Sequence, residues 1–177
     1  MQLPTVIVLA SGRGARFAAS GGAVHKLQAM LGKKSVLQHT LDAVIASGLP
    51  WYLERSAQPG MGDSIAAAVA CTAQAPGWLI LPADLPLVRS DTLRSVAEAL
   101  RQHPVVVPVY QGRRGHPVGF SACCAHDLQD LQGDRGAASV VRRYAAFELA
   151  LNDAGCVTDI DTLGDLRAAE RLLGDAA

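Results

Sequence analysis

The sequence predicts an α/β fold built on a mostly parallel sheet, and three observations carry that prediction. Residues 5–10 (TVIVLA), 78–82 (WLILP) and 105–109 (VVVPV) are nearly unbroken apolar runs, the pattern of strands buried on both faces. Segments of helical periodicity alternate with them, as βαβ units require. Half of the 177 residues are hydrophobic but only 5% are aromatic, so the core must be mainly Ala, Val, Leu and Ile, which suits a parallel sheet under Ala-rich helices.

Each element has a local reason. The first run ends at Gly12. Ser35 caps a helix over residues 35–47, with Val36, Leu37, Leu41, Val44 and Ile45 at helical spacing and Gly48 as its stop. Residues 49–54 read as a short strand. Asp63 or Ser64 can cap a second helix running to Ala73. The strand over 78–82 leads directly to Asp84, and Ser90 caps a helix over 91–101. After the strand over 105–109, a turn at 112–115 precedes a strand over 117–121. Helical patterns follow at 125–131 and 137–144, strands at 147–151 and 157–160, and a last helix at 163–173. No repeat, linker or low-complexity tract divides the chain, so one domain is expected.

The charge balance excludes some functions. Sixteen basic and sixteen acidic side chains leave no broad basic field for nucleic acid. Cys71, Cys123, Cys124 and Cys156 form no CxxC pair, so they are read as reduced thiols. The N-terminus has no basic region, and its apolar run is too short to span a membrane. A cytoplasmic protein with no membrane partner is the expectation.

The chemistry concentrates where apolar strands end. LASGRGARF (residues 9–17) lets Gly12 and Gly14 bring backbone N–H groups against an anion, and Arg13 and Arg16 add positive charge. Lys26 follows a second Gly-rich stretch and can fold back onto the same phosphates. The loop is neither GxxxxGK[ST] nor GxGxxG. By itself it reads equally as a glycine turn with solvated arginines. LPADLPLV (81–88) places Asp84 between prolines just past a strand, where a carboxylate either holds Mg²⁺ on substrate phosphates or shapes a turn. In DIDTLGDL (159–166) Asp159 and Asp161 face the same side of an extended segment, so one can complete such a metal site while the other caps the last helix, or Asp161 with Thr162 is only an N-cap pair. Ligands of parallel sheets bind beyond the carboxyl ends of the strands, so the loop and Asp84 can share one site.

Three more segments stand out. PGMGDS (59–64) enters a helix with free N–H groups, as an ordinary capped loop also does. GRRGHPVGF (112–120) carries His116, a ligand contact or a structural histidine. GDRGAASVV (133–141) is a polar turn before a helix. No GxSxG elbow and no activated cysteine are visible.

Taken together and in order, these six segments resemble the MobA-like nucleotidyltransferases, and most closely their molybdenum cofactor cytidylyltransferase branch. The resemblance runs from Val6 to about Leu172. It implies a Rossmann-like three-layer α/β/α fold and transfer of CMP from CTP to the phosphate of molybdopterin, with Mg²⁺ and release of pyrophosphate. By position, it assigns nucleotide binding to Leu9, Ala10, Ser11, Gly12, Gly14, Arg16, Lys26, Gly60, Met61, Gly62, Ser64 and Asp84. Arg16, Lys26 and Asp84 are the catalytic set, Asp84 and Asp161 the metal ligands, and His116 and Pro117 the acceptor contacts. A molybdenum hydroxylase is the implied client. Two rival readings are the same fold acting with GTP or another phosphorylated acceptor, and a non-catalytic factor that delivers molybdenum cofactor.

Three departures from the family pattern mark this chain. Ser11 stands where Ala or Gly is usual. The link over residues 17–25 is long. Only about a dozen residues join Gly48 to Gly60, roughly one β-α unit fewer than relatives have.

Overall fold

The computed structural model describes residues 2–12 and 14–174. Its main sheet has seven strands in the order β4-β1-β5-β8-β6-β7, with β9 paired to β6. These are β1 (Thr5–Leu9), β4 (Trp51–Glu54), β5 (Gly77–Pro82), β6 (Val105–Tyr110), β7 (Arg113–Arg114), β8 (Val118–Ser121) and β9 (Phe147–Ala150). β1, β4, β5, β6 and β9 run one way, while β7 and β8 run against them. The sheet is therefore mostly parallel, as the apolar runs require. A separate hairpin joins β2 (Met30–Leu31) and β3 (Lys34–Ser35).

Among the described residues seven α-helices complete the fold: α1 (Ala15–Ala19), α2 (Val36–Ser47), α3 (Met61–Cys71), α4 (Ser90–Ala99), α5 (Ala125–Gln129), α6 (Ala138–Arg143) and α7 (Leu163–Gly174). Strand side chains alternate between faces, so one run of sequence feeds two cores. Val6, Val8, Leu79 and Leu81 pack with residues of α2, α4 and α7. Ile7, Trp78 and Ile80 pack with residues of α3, α5 and α6 on the other face. The result is the three-layer Rossmann-like α/β/α arrangement. No helix among the described residues is long and apolar enough to cross a membrane. All four cysteines are free.

Local signals act where the sequence placed them in α2. Ser35 accepts the Gln38 N–H at 3.2 Å, and Gly48 closes the helix in the left-handed region at φ 73°. Elsewhere tertiary partners move the ends. α3 begins at Met61, ahead of the expected Asp63 or Ser64 cap, because those side chains have other partners. The Asp63 carboxylate accepts the Gly133 N–H at 2.9 Å, and the Ser64 hydroxyl donates to the Gly60 carbonyl. The GMG segment is thereby the N-terminus of α3. The cap of α4 is supplied from afar: Asp153 accepts from the Arg89 N–H and the Thr92 hydroxyl.

The expected strand over 157–160 is absent. A 3-10 turn, Ala154–Val157, replaces its start, and Asp153 accepts the Gly155 N–H at 2.9 Å to cap it. Only single bonds tie the following residues to the sheet edge, among them the Ile160 N–H to the Asp84 carbonyl at 2.9 Å. Gly155 is wedged there: a Cβ on it would lie 1.9 Å from the Leu87 carbonyl oxygen. Gly155→Ala should therefore destabilise the protein by about 3 kcal/mol and lower its Tm by roughly 6–12 °C, measured by thermal and urea unfolding.

The short Gly48–Gly60 passage also has a clear outcome. β4 lies beside β1 and is the last strand on that side, with Trp51 44% exposed. From β4 the chain runs straight to the cleft described next, where Gln58, Pro59 and Gly60 form part of the wall.

Candidate active site

The parallel pairing of β1 with β5 sets Leu9 opposite Pro82, so the segments leaving these strands emerge side by side. The Ala83 N–H bonds the Leu9 carbonyl at 3.0 Å and holds this edge together. Between the two segments and the N-terminus of α3 lies a cleft of about 450 Å³. Of the residues singled out from sequence, Leu9, Ser11, Gly12, Lys26, Gly60, Met61, Ser64 and Asp84 line it.

Its floor is ionic. Lys26 reaches Asp84 at 2.6 Å and Asp161 at 3.0 Å, and Arg16 pairs with the same Asp161. Lys26 and Asp84 are mostly buried, whereas Arg16 is 79% exposed. Burial works against the Lys26 charge, but the charge and hydrogen bond of Asp84, joined by those of Asp161, outweigh it and hold its pKa above the ordinary lysine value. Lys26 is thus fully protonated at neutral pH.

Asp161 is available for this cluster because another pair caps α7. The Thr162 hydroxyl accepts the Asp165 N–H at 3.2 Å, and the Asp165 carboxylate accepts from the N–H groups of Thr162 and Asp161. This reciprocal box resolves the two readings of Asp161: its carboxylate faces Lys26, and its backbone serves the cap.

The donor set suits a hard divalent cation carried in on phosphates. Asp84 Oδ1 is buried without a hydrogen-bond partner, and Asp161 supplies a second carboxylate. Among the described residues no group of three or more His, Cys, Asp or Glu side chains gathers for a metal. Two oxygen ligands with waters and substrate phosphates are a common arrangement for Mg²⁺.

The Gly-rich loop is held at its start. Ser11 and Ser64 hydroxyls meet at 2.9 Å, tying the loop to α3. The His25 ring meets the Gly12 carbonyl at 2.8 Å. Gly14 takes φ 62° and packs on His25 and Lys26, so it shapes the loop from behind. Ala10 packs against the core. Arg13 lies outside the described residues.

Gly60 and Gly62 have packing roles that spacing did not reveal. A Cβ on Gly60 would lie 2.4 Å from the Gly133 backbone, and one on Gly62 would lie 2.9 Å from that of Gln132. The 133–136 turn, carrying Asp134 into the cleft wall, is pressed against the start of α3.

Met61 and Pro82 also face two further hollows. One, about 410 Å³, has an apolar floor that includes Ile65, Ile80 and Phe120, with Arg114, Arg135 and Arg142 along its lining. The other, about 380 Å³, reaches from Arg16 and Asp161 to Arg113 and Arg114. His116 lines both. Pro117, buried after a cis peptide bond, lines neither and acts behind His116. The arginines were not singled out as acceptor contacts from sequence, although the GRRGHP and GDRG segments contain three of them.

His116 Nδ1 is buried without a partner. Burial holds the ring below the ordinary histidine pKa, against the bond to the Ile80 backbone and the charges of Asp84 and Asp159. The unfolded chain then binds the proton more readily than the folded one. Stability should be intact above about pH 6.5 and fall as pH drops below it. His116→Gln should flatten that acid limb, as read from urea midpoints at about pH 5 and about pH 7.

Comparison with known proteins places the chain in context. A family model described as the MobA-like NTP transferase domain matches residues 43–148. The purine catabolism protein PucB of Bacillus subtilis is 32% identical over 119 residues, 63% of this chain and 58% of that protein. The chain thus spans less than two thirds of this relative's length. The crystal structure of Rv0371c from Mycobacterium tuberculosis superposes with a TM-score of 0.81 at 24% identity, covering 96% of this chain and 98% of that one. A complex of Rv0371c with manganese gives 0.77 at 24% identity, covering 96% and 98%. A nucleotidyl transferase from Methanothermobacter gives 0.78 at 19% identity, covering 98% and 99%. At these identities the structural likenesses establish the fold.

Proposed function

The chain belongs to the MobA-like NTP transferase family, and we propose that it transfers a nucleoside monophosphate from an NTP, CTP foremost, to the phosphate of molybdopterin. The observation that carries this reading is the meeting of Lys26, Asp84 and Asp161 where the Gly-rich cleft adjoins a second hollow: Lys26 and Asp84 line both, and Asp161 lines the second. The combination handles a triphosphate: N–H groups and cations for the phosphates, carboxylates for a divalent cation. A pure anion-binding module would have no use for the paired carboxylates.

In this reading Gly12, Arg16 and Lys26 hold the β- and γ-phosphates. Asp84, with Asp161, would hold Mg²⁺, which neutralises charge on the α-phosphate and on the departing pyrophosphate. An oxygen of the acceptor phosphate attacks the α-phosphorus, a new P–O bond forms, and the bond to the β-phosphate breaks. That nucleophile is already ionised near neutral pH, so the chain supplies no general base. Its contribution is positioning and charge neutralisation. The start of α3 and Gln58 face the base side of the cleft. The arginine-lined hollows beside His116 suit an acceptor with a flat heterocycle and a phosphate.

The choice of CTP rests on the GMGxS segment and its place at the cleft. Incubation with each NTP, Mg²⁺ and molybdopterin, followed by pyrophosphate release, tests it. Preferential turnover with CTP is expected. Preference for GTP would overturn the cytidylyl reading while keeping the transferase. Cofactor binding with no turnover of any NTP would favour a delivery factor instead, a molybdenum hydroxylase being its client.

A further inference from the structure

We infer that His25, a residue outside the expected site, is the positioning residue that sets the Gly-rich loop against Lys26. This rests on reading the loop as the triphosphate site.

The bonds of the ring define its state. Nδ1 accepts the Leu27 N–H at 3.3 Å, and Nε2 lies 2.8 Å from the Gly12 carbonyl oxygen. A ring that accepts at Nδ1 must carry its proton on Nε2, and that N–H then donates to Gly12. Only the neutral Nε2–H tautomer satisfies both contacts.

The two bonds reach the two halves of the phosphate site. His25 is the N-cap of the 3-10 turn Lys26–Gln28, so one bond orders the backbone that carries the Lys26 ammonium. The other engages the carbonyl of Gly12, a residue of the cleft wall. A carbonyl oxygen left unengaged beside a triphosphate would repel it, and the imidazole N–H draws this one aside.

Chain connectivity does not hold these halves at a set separation. Residues 17–25 make a long excursion through α1 and a Gly-rich turn before returning. The imidazole closes that excursion across 13 residues. Gly14, at φ +62°, turns the loop beside the ring, where a Cβ would meet His25 Nε2 at a contact distance of 3.4 Å.

The test compares three substitutions. Glutamine can present an amide N–H near the Nε2 position, asparagine can keep the cap but falls short of Gly12, and alanine does neither. His25→Ala and His25→Asn should raise the KM for the NTP about ten-fold with a smaller change in kcat, the scale of one hydrogen bond, and His25→Gln should restore most of it. Binding of inorganic tripolyphosphate by calorimetry should follow the same order, with thermal melts confirming that each variant is folded. Lys26→Ala is run alongside. If it loses tripolyphosphate binding while all three His25 variants bind like the parent, the positioning role of His25 is overturned. Glutamine as weak as alanine overturns it too. If Lys26→Ala itself binds like the parent, the triphosphate reading of the loop fails, and the role of His25 with it.

Discussion

Asp84→Ala is expected to abolish nucleotidyl transfer, with turnover falling by at least ~10²–10³-fold, the scale of one key electrostatic contact and equivalent to about 2.7–4 kcal/mol of barrier. Three features make Asp84 the most sensitive position. It leaves β5 beside the loop that leaves β1, its Oδ1 is buried without a partner, and its Oδ2 anchors Lys26. Alanine removes the cation ligand and frees the ammonium together. Asp84→Asn keeps the shape but halves the donor set and removes the charge, so it should be nearly as inactive. Pyrophosphate release under saturating NTP and Mg²⁺ gives the measurement. Near-parental turnover in either variant would show that the cation is held elsewhere.

Lys26→Ala should change two quantities in opposite directions. Turnover should fall by ~10²–10³-fold, because the variant lacks a mostly buried cation of the phosphate site. Binding of Mn²⁺ in the absence of nucleotide should instead strengthen. The Lys26 ammonium lies between Asp84 and Asp161, at 2.6 and 3.0 Å, so a metal on these carboxylates must compete with it. The arriving triphosphate gives that ammonium another partner, so in the parent protein nucleotide and metal should each tighten the other's binding. Titration of Mn²⁺ with and without NTP reads both effects. A Lys26→Ala chain that loses turnover yet binds Mn²⁺ no more tightly would show that the ammonium does not hold the carboxylates closed.

Much of the candidate site's layout was legible because parts of it obey local rules. An apolar run followed by glycine, or by an Asp set between prolines, marks a buried strand and its exit, and parallel strands bring such exits to one edge. Gly12 and Asp84 fall into place on that basis, whereas Leu9 came with the family resemblance. His25 was missed because an imidazole beside a lysine has no periodic signature; its position immediately before Lys26 was the only hint. Gly60 and Gly62 were placed near the nucleotide by resemblance, but their tightest constraint is the backbone at Gln132 and Gly133, some 70 residues away along the chain. The expected strand over 157–160 failed for a similar reason. An apolar stretch becomes a strand only where an edge offers a ladder, and here Asp153 and the wedge of Gly155 under Leu87 turn the chain first.

By itself, then, the sequence determined the central strands and the bounds of α2: alternation divided β1 and β5 between two cores, and Ser35 and Gly48 bounded α2. These are consequences of backbone geometry within a few residues, and they do not depend on the rest of the molecule. Only the tertiary structure decided which charges meet. Lys26 finds Asp84 across 58 residues and Asp161 across 135, and Asp161 is free to meet it because Thr162 and Asp165 cap α7 between them. Such meetings are set by sheet order and by competition among nearby partners, neither of which leaves a pattern along the chain.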